Sequence, residues 1–177
     1  FGSAAPSGSA SGAEVFKGDR LHLKLDSFDV RGRAVDSVQG CFVAGALPGE
    51  EVKARCAHVA HHGLHPAELI DITTKSPHRV EVPCPHFLQC GGCDLLHAAL
   101  PIQQDFKRGL VQDALQEHGI EVAPVVHGDG FGYRALAKLV VGVNGELGSY
   151  RPRTHDVQDM EGCVIHAPLV EEFISWM

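Results

Sequence analysis

Apolar and polar positions alternate early in the chain and change period twice. "LHLKLDSF" (21–28) places leucine at every second position, as a strand with one buried face requires. "RGRAVD", "GCFVAGAL" and "EEVKARCAHV" follow as short β-type runs, and "AELIDITT" supplies a last one. Gly40 and the turn Leu47–Glu50 punctuate them. About five short strands in some sixty residues, with glycine at the corners, predict a small closed barrel of the OB type. From Pro101 to His118 the period becomes helical. Phe106, Leu110, Val111, Ala114 and Leu115 fall on one face, and Gly119 sits where such a helix would stop. Two β-type runs then flank Asn144-Gly145, a strong hairpin signal. "HDVQDMEGCVIH" reads as strand then loop, and Pro168 opens a second helix. The fold class expected is mainly β with some α: a barrel, a cysteine loop, and an incomplete α+β segment.

Residues 76–99 carry neither period. They hold three of the six cysteines in "CPHFLQCGGCDLLH", with five residues between Cys84 and Cys90 and two between Cys90 and Cys93. Disulfides, zinc and an iron–sulfur cluster compete for this pattern. The context looks reducing, which argues against disulfides. Zinc favours two paired knuckles, and only one C-x-x-C is present. Three local cysteines with one distant cysteine fit a [4Fe–4S] site better, with Cys163, Cys41, Cys56 or a histidine as the fourth ligand. Gly91 and Gly92 are expected to take positive φ and turn amide groups toward the site. Cys41 and Cys56 lie in apolar company and read as core residues. "HVAHHGLH" (58–65) reads as a polar strand–turn edge more than a metal tract.

Composition narrows the class. The 177 residues are 44% hydrophobic with a formal charge of −7, so a general nucleic-acid polyanion binder is disfavoured, though a local basic patch is not. No run approaches the roughly eighteen apolar residues of a membrane span. No secretory leader is visible, so the expected location is cytoplasmic. Residues 1–13, rich in Gly, Ser and Ala, read as a flexible linker. A start at Phe1 rather than Met reads as a piece of a longer protein.

The blocks "RGRAVD…GCFVAGALPGEEVKARC", "SPHRVEVPCPHFLQCGGCDLLH", "QQDFKRGLVQDAL", "YRALAKL" and "LGSYRPRTHDVQDMEGCVI" together resemble the N-terminal part of the RNA (uracil-5-)-methyltransferases. The resemblance runs from about residue 19 to 175. It implies a TRAM domain, an OB-like RNA-binding module, over 14–76, an iron–sulfur loop over 77–99, a helix over 100–119 packing on a methyltransferase domain, and a partial central hairpin domain over 120–177. It implies that Cys84, Cys90, Cys93 and Cys163 hold a [4Fe–4S] cluster. It implies methyl transfer from S-adenosylmethionine to carbon 5 of a uridine in rRNA or tRNA, on a Rossmann-like domain. No glycine-rich cofactor loop and no nucleophile paired with a base is found here, so the chain alone is expected to be inactive. The family's Y-R-N-K is Tyr133-Arg134-Ala135-Leu136 in this chain.

The RNA contacts expected are Arg31, Arg33 and Lys53, with Arg20, Lys24 and Arg55 beside them in the barrel. Arg134, Lys138, Arg151, Arg153 and His155 are expected to add contacts around the hairpin. A monomer with no membrane partner is expected. Competing readings are a free-standing RNA-binding module with a zinc or iron–sulfur structural site, and a small iron–sulfur electron carrier. An electron carrier would need no barrel and would favour C-x-x-C-x-x-C spacing.

Overall fold

The structure is a computed structural model that describes residues 15–177, so the linker expected over residues 1–13 lies outside the described residues. It is mainly β with two helices. It divides into two compact units: one runs through Asp29 and resumes over Arg33–Ser76, and the other comprises Val30–Gly32 and Pro77–Met177.

The first unit is a curled six-stranded sheet. Its strands are β1 (Arg20–Lys24), β2 (Ser27–Phe28), β3 (Ala34–Asp36), β4 (Cys41–Val43), β5 (Glu51–Cys56) and β6 (His65–Thr74), in the order β1-β5-β6-β4-β3-β2. The sequence reading gave five strands. The first of these is bent at Leu25-Asp26, so its two halves pair at opposite edges: β1 with β5, and β2 with β3. That bend curls the sheet.

The alternation seen in the sequence becomes the core. Leu21, Leu23 and Leu25 point inward against Val43, Val52, Ala54 and Cys56. Each large side chain so buried contributes roughly 1.5–3 kcal/mol. Two buried carboxylates are satisfied by backbone. Asp36 accepts from the amides of Lys24 (2.9 Å), Val38 (3.0 Å) and Gln39 (2.8 Å). Glu50 accepts from those of Leu47 (2.9 Å) and Ser76 (3.2 Å). The histidine-rich stretch forms the connection into β6, where His65 Nδ1 accepts from the Ala60 amide at 3.0 Å.

In the second unit, α1 (Leu100–Leu115) starts on Pro101 and runs into a 3₁₀ turn, Gln116–His118. Gly119 closes it at φ 65°, as its position in the sequence predicts. No residue of α1 is fully buried; of its apolar stripe, Phe106, Leu110 and Leu115 are half-buried and Val111 and Ala114 exposed. A three-stranded sheet follows: β7 (Val140–Val141), β8 (Leu147–Tyr150) and β9 (Val157–Asp159). Gly145 takes φ 89° in the predicted Asn-Gly turn. "YRALAKL" is less regular than its pattern predicts: outside β7 only Arg134 pairs, in a parallel bridge with His166. Pro168 opens α2 (Pro168–Trp176) as expected. Among the described residues no helix is long and apolar enough to cross a membrane.

Candidate metal centre

The cysteine loop is closed at its base by backbone. The Val80 amide donates to the His97 carbonyl at 3.0 Å, and the Ala99 amide to that of His78 at 2.8 Å. Within it the chain turns tightly, the Gln89 and Cys90 amides both donating to the His86 carbonyl at 2.9 and 3.0 Å. The expectation of positive φ at Gly91 and Gly92 is not met. The left-handed residue is Leu88, at φ 65°. A Cβ on Gly92 would stand 3.4 Å from Cys90 Sγ, at ordinary contact distance.

Cys163 reaches this loop from the far end of the unit. Cys90 and Cys163 are both buried, in one apolar cluster with Met160 and Ile165, and Cys93, Leu96, Leu139 and Val164 pack against it. Cys84 is within electrostatic reach. Burial raises its thiol, the backbone N–H groups of His86 and Phe87 oppose the rise, and the proximity of Cys163 and Cys90 adds to it. Burial, then Cys90 and Cys163, push the Cys93 thiol up to about 11, while Arg134 acts the other way. Cys90, Cys93 and Cys163, from two distant segments, therefore pack in one apolar cluster, with Cys84 electrostatically close to two of them. Cys84 and Cys93 resist ionising, through burial first and then repulsion by the neighbouring sulfurs. A cationic centre bound by all four would remove that repulsion. The donor set, soft sulfur in an apolar surround, suits an iron–sulfur cluster or zinc. Cys41 and Cys56 are buried in the other unit's core; burial first, then Cys56 and Asp36, push the Cys41 thiol up to about 11.

Two struts that the sequence reading missed hold the Cys163 segment. His86 Nε2 donates to the Glu161 carbonyl at 2.7 Å, which leaves Nδ1 to accept from the Gln158 amide at 3.3 Å. Glu171, in the first turn of α2, accepts from the Gly162 and Cys163 amides at 2.8 and 3.2 Å through Oε2. Its Oε1 accepts from buried His166 Nδ1 at 2.6 Å. Cys163, His166 and Glu171 also form a group whose ligand atoms lie within 4.8 Å of one another. The signals in the sequence were a histidine two places after Cys84 and an acid just inside a Pro-started helix. β8 meets β9 very closely: a Cβ on Gly148 would overlap the Gln158 carbonyl.

The basic candidates divide. Arg33 pairs with Asp29 and lies over the Phe42 ring, 3.5 Å from its centroid, so its guanidinium is already engaged. Lys24 and Arg55 pair with Glu51 and Glu68. Arg20 and Lys53 are exposed on β1 and β5, and Arg31 is exposed between β2 and β3. Lys138 is exposed. Arg151, Arg153 and His155 are brought together on the exposed β8–β9 connection, which the Arg151 amide closes by donating to the Asp156 carbonyl at 2.8 Å. Arg153 takes φ 63°, and Tyr150 stacks edge-on with His155 at 5.6 Å. Arg134 is half-buried, and its amide donates to the Ile165 carbonyl at 2.9 Å.

No family model matches the chain. Among curated proteins, it is 33% identical over 165 residues to the 23S rRNA (uracil(1939)-C(5))-methyltransferase RlmD of Pectobacterium atrosepticum, which covers 88% of this chain and 36% of the relative. It is 38% identical over 160 residues to the protein of the same name from Acidithiobacillus ferrooxidans, with 85% and 36% covered. Over more than four fifths of its length the chain is homologous to RNA (uracil-5-)-methyltransferases, consistent with an N-terminal portion of such a protein. It spans about a third of the length of the curated relatives it matches. A solved structure adds the fold: a Pyrococcus abyssi tRNA (uracil-54, C5)-methyltransferase in complex with S-adenosyl-L-homocysteine matches with a TM-score of 0.68 at 24% identity, over 87% of this chain and 35% of that one.

Proposed function

We propose that this chain is the RNA-binding, iron–sulfur part of an S-adenosylmethionine-dependent RNA (uracil-5-)-methyltransferase. In this reading residues 14–76 are the OB-like TRAM module. The loop over 77–99, with Cys163, holds a [4Fe–4S] cluster through Cys84, Cys90, Cys93 and Cys163. The helix over 100–119 packs on the methyltransferase domain, and residues 120–177 belong to the central domain. The substrate is a uridine in rRNA or tRNA, and the setting is cytoplasmic. S-adenosylmethionine and the methyl-transfer groups act on a domain beyond these 177 residues, so the chain alone binds RNA without methylating it.

What supports this reading is the packing of Cys90, Cys93 and Cys163, from segments some seventy residues apart, in one apolar cluster, with Cys84 electrostatically close. When bound, the cluster supplies a crosslink between those segments. The chain's own residues do the rest. The Leu88 turn presents Cys84 and Cys90, His86 and Glu171 fix the Cys163 segment, and Met160 and Ile165 exclude water. The β8–β9 tip, with two exposed arginines beside an aromatic pair, suits a phosphate clamp or a stacked base.

Anaerobic reconstitution with iron and sulfide, followed by counting both per chain, tests the cluster. About four of each with broad visible absorption supports it. The group formed by Cys163, His166 and Glu171 favours a second reading, a zinc-bound RNA module. One zinc per chain without visible absorption would establish that alternative.

A further inference from the structure

We propose that the outer face of β1 and β5 is a track for the phosphates of single-stranded RNA, built from Arg20, His22 and Lys53. It rests on the RNA-binding reading above and gives that reading a place on the six-stranded sheet. The two strands pair antiparallel, with Arg20 opposite Arg55, His22 opposite Lys53 and Lys24 opposite Glu51. The residues between them, Leu21, Leu23, Val52 and Ala54, are buried in the core. Side chains alternate in direction along a strand, so the three rungs project together from the opposite face. The Arg20–Arg55 rung is like-charged at any ordinary pH, and the His22–Lys53 rung becomes so when the ring is protonated.

Such rungs do not help the sheet. Residues directly opposite have Cβ atoms about 5 Å apart, and like charges there are destabilising. The nearby carboxylates are mostly committed. Glu51 pairs with Lys24 at 2.9 Å and Glu68 with Arg55 at 2.6 Å. Asp19, beside Arg20, accepts from the Phe16 amide at 2.9 Å. Asp71 stands in register with Lys53 from β6 but makes no ion pair with it. Among the described residues Arg20, His22 and Lys53 have no ion pair and no side-chain hydrogen bond. β1 is an edge strand, and cations on an edge can serve to keep other chains off it. β5 lies between β1 and β6, so edge protection does not account for Lys53.

A polyanion laid across the rungs removes the conflict. The rungs repeat at every second residue, about 7 Å along the strand, a step that an extended sugar–phosphate backbone can follow. Arg20 offers a planar fork of donors suited to a phosphate, Lys53 a point charge, and His22 a ring N–H. None of the residues on these rungs carries a ring on which a base would ordinarily stack in place of a phosphate contact, other than the histidine. The track therefore positions the strand without reading its sequence.

The test uses the reconstituted chain and an unstructured single-stranded RNA that contains uridine. The Arg20→Gln, Lys53→Gln double variant removes the two unpaired cations. Its salt slope of binding is expected to fall by about two, one for each lost phosphate contact, to a similar extent on RNAs of different sequence. Its Tm without RNA is expected to hold or rise, because the like-charged rungs are relieved. Lys24→Gln, which removes a cation already paired with Glu51, is expected to leave the slope nearly unchanged. An unchanged slope in the double variant overturns the track alone, and so does a fall of about one in Lys24→Gln. A lowered Tm in the double variant would show that these cations serve the sheet, and also overturns it. A parent chain that binds no RNA overturns both the track and the RNA-binding reading beneath it.

Discussion

Removing the Glu171 carboxylate should release the segment that carries Cys163. In Glu171→Ala, His166 Nδ1–H loses its acceptor at a site where the ring is 2% exposed. An orphaned buried donor costs about 1–3 kcal/mol. The Gly162 and Cys163 amides lose a charged acceptor as well, but Gly162 is exposed and Cys163 retains a bond to the Met160 carbonyl at 3.2 Å. Water can partly replace what Gly162 loses, so these two bonds together add about 1 kcal/mol, below the usual value for charge-assisted bonds. The sum is about 3 kcal/mol, or about a hundredfold increase in local opening at 1.4 kcal/mol per factor of ten. Hydrogen exchange reads that opening without reference to any metal. The Arg134 and Ala167 amides, which bond across to and from this segment, should exchange about a hundredfold faster, while those of β5 stay unchanged. Glu171→Gln keeps one acceptor oxygen and should fall between. Acceleration below about threefold in Glu171→Ala would refute the argument that this side chain anchors the segment.

The Arg151→Ala, Arg153→Ala double variant should reduce the salt slope of RNA binding by about two, one for each lost phosphate contact; an unchanged slope would show the β8–β9 tip to be a solvated loop. In metal-free protein the Cys93 thiol, held up at about 11 by burial and by Cys90 and Cys163, should stay protonated at neutral pH. Its alkylation should therefore be slow at pH 7 and accelerate as pH rises toward that value, since the thiolate is the reactive form. A rate already saturated at pH 8, read by mass spectrometry of the modified peptide, would contradict the shared-site electrostatics.

Much of the fold could be read locally. The leucines of β1, the Asn144-Gly145 turn, the Gly119 stop and the Pro168 start are set by residues adjacent in sequence. What escaped the sequence depends on distant partners. The bend at Leu25-Asp26 shows only because its halves pair with different strands. Gly91 and Gly92 look like conformational glycines, yet the left-handed turn falls on Leu88, which no rule of propensity would choose. His86 and Glu171 act across about seventy and about eight residues respectively, through carbonyl and amide groups that carry no side-chain signature. Arg33 is as basic as Arg151, and only the structure shows it engaged by Asp29 and Phe42.

The most direct measurement is the iron and sulfide content of the chain after anaerobic reconstitution, compared across single cysteine variants. The account predicts about four of each in the parent chain and in Cys41→Ala, whose sulfur lies in the other unit's core. It predicts a severe loss in Cys163→Ser equal to that in Cys90→Ser, although the two positions are far apart in sequence. Full iron content in Cys163→Ser, or one zinc and no iron in the parent, would contradict the claim that these four cysteines form one iron–sulfur site.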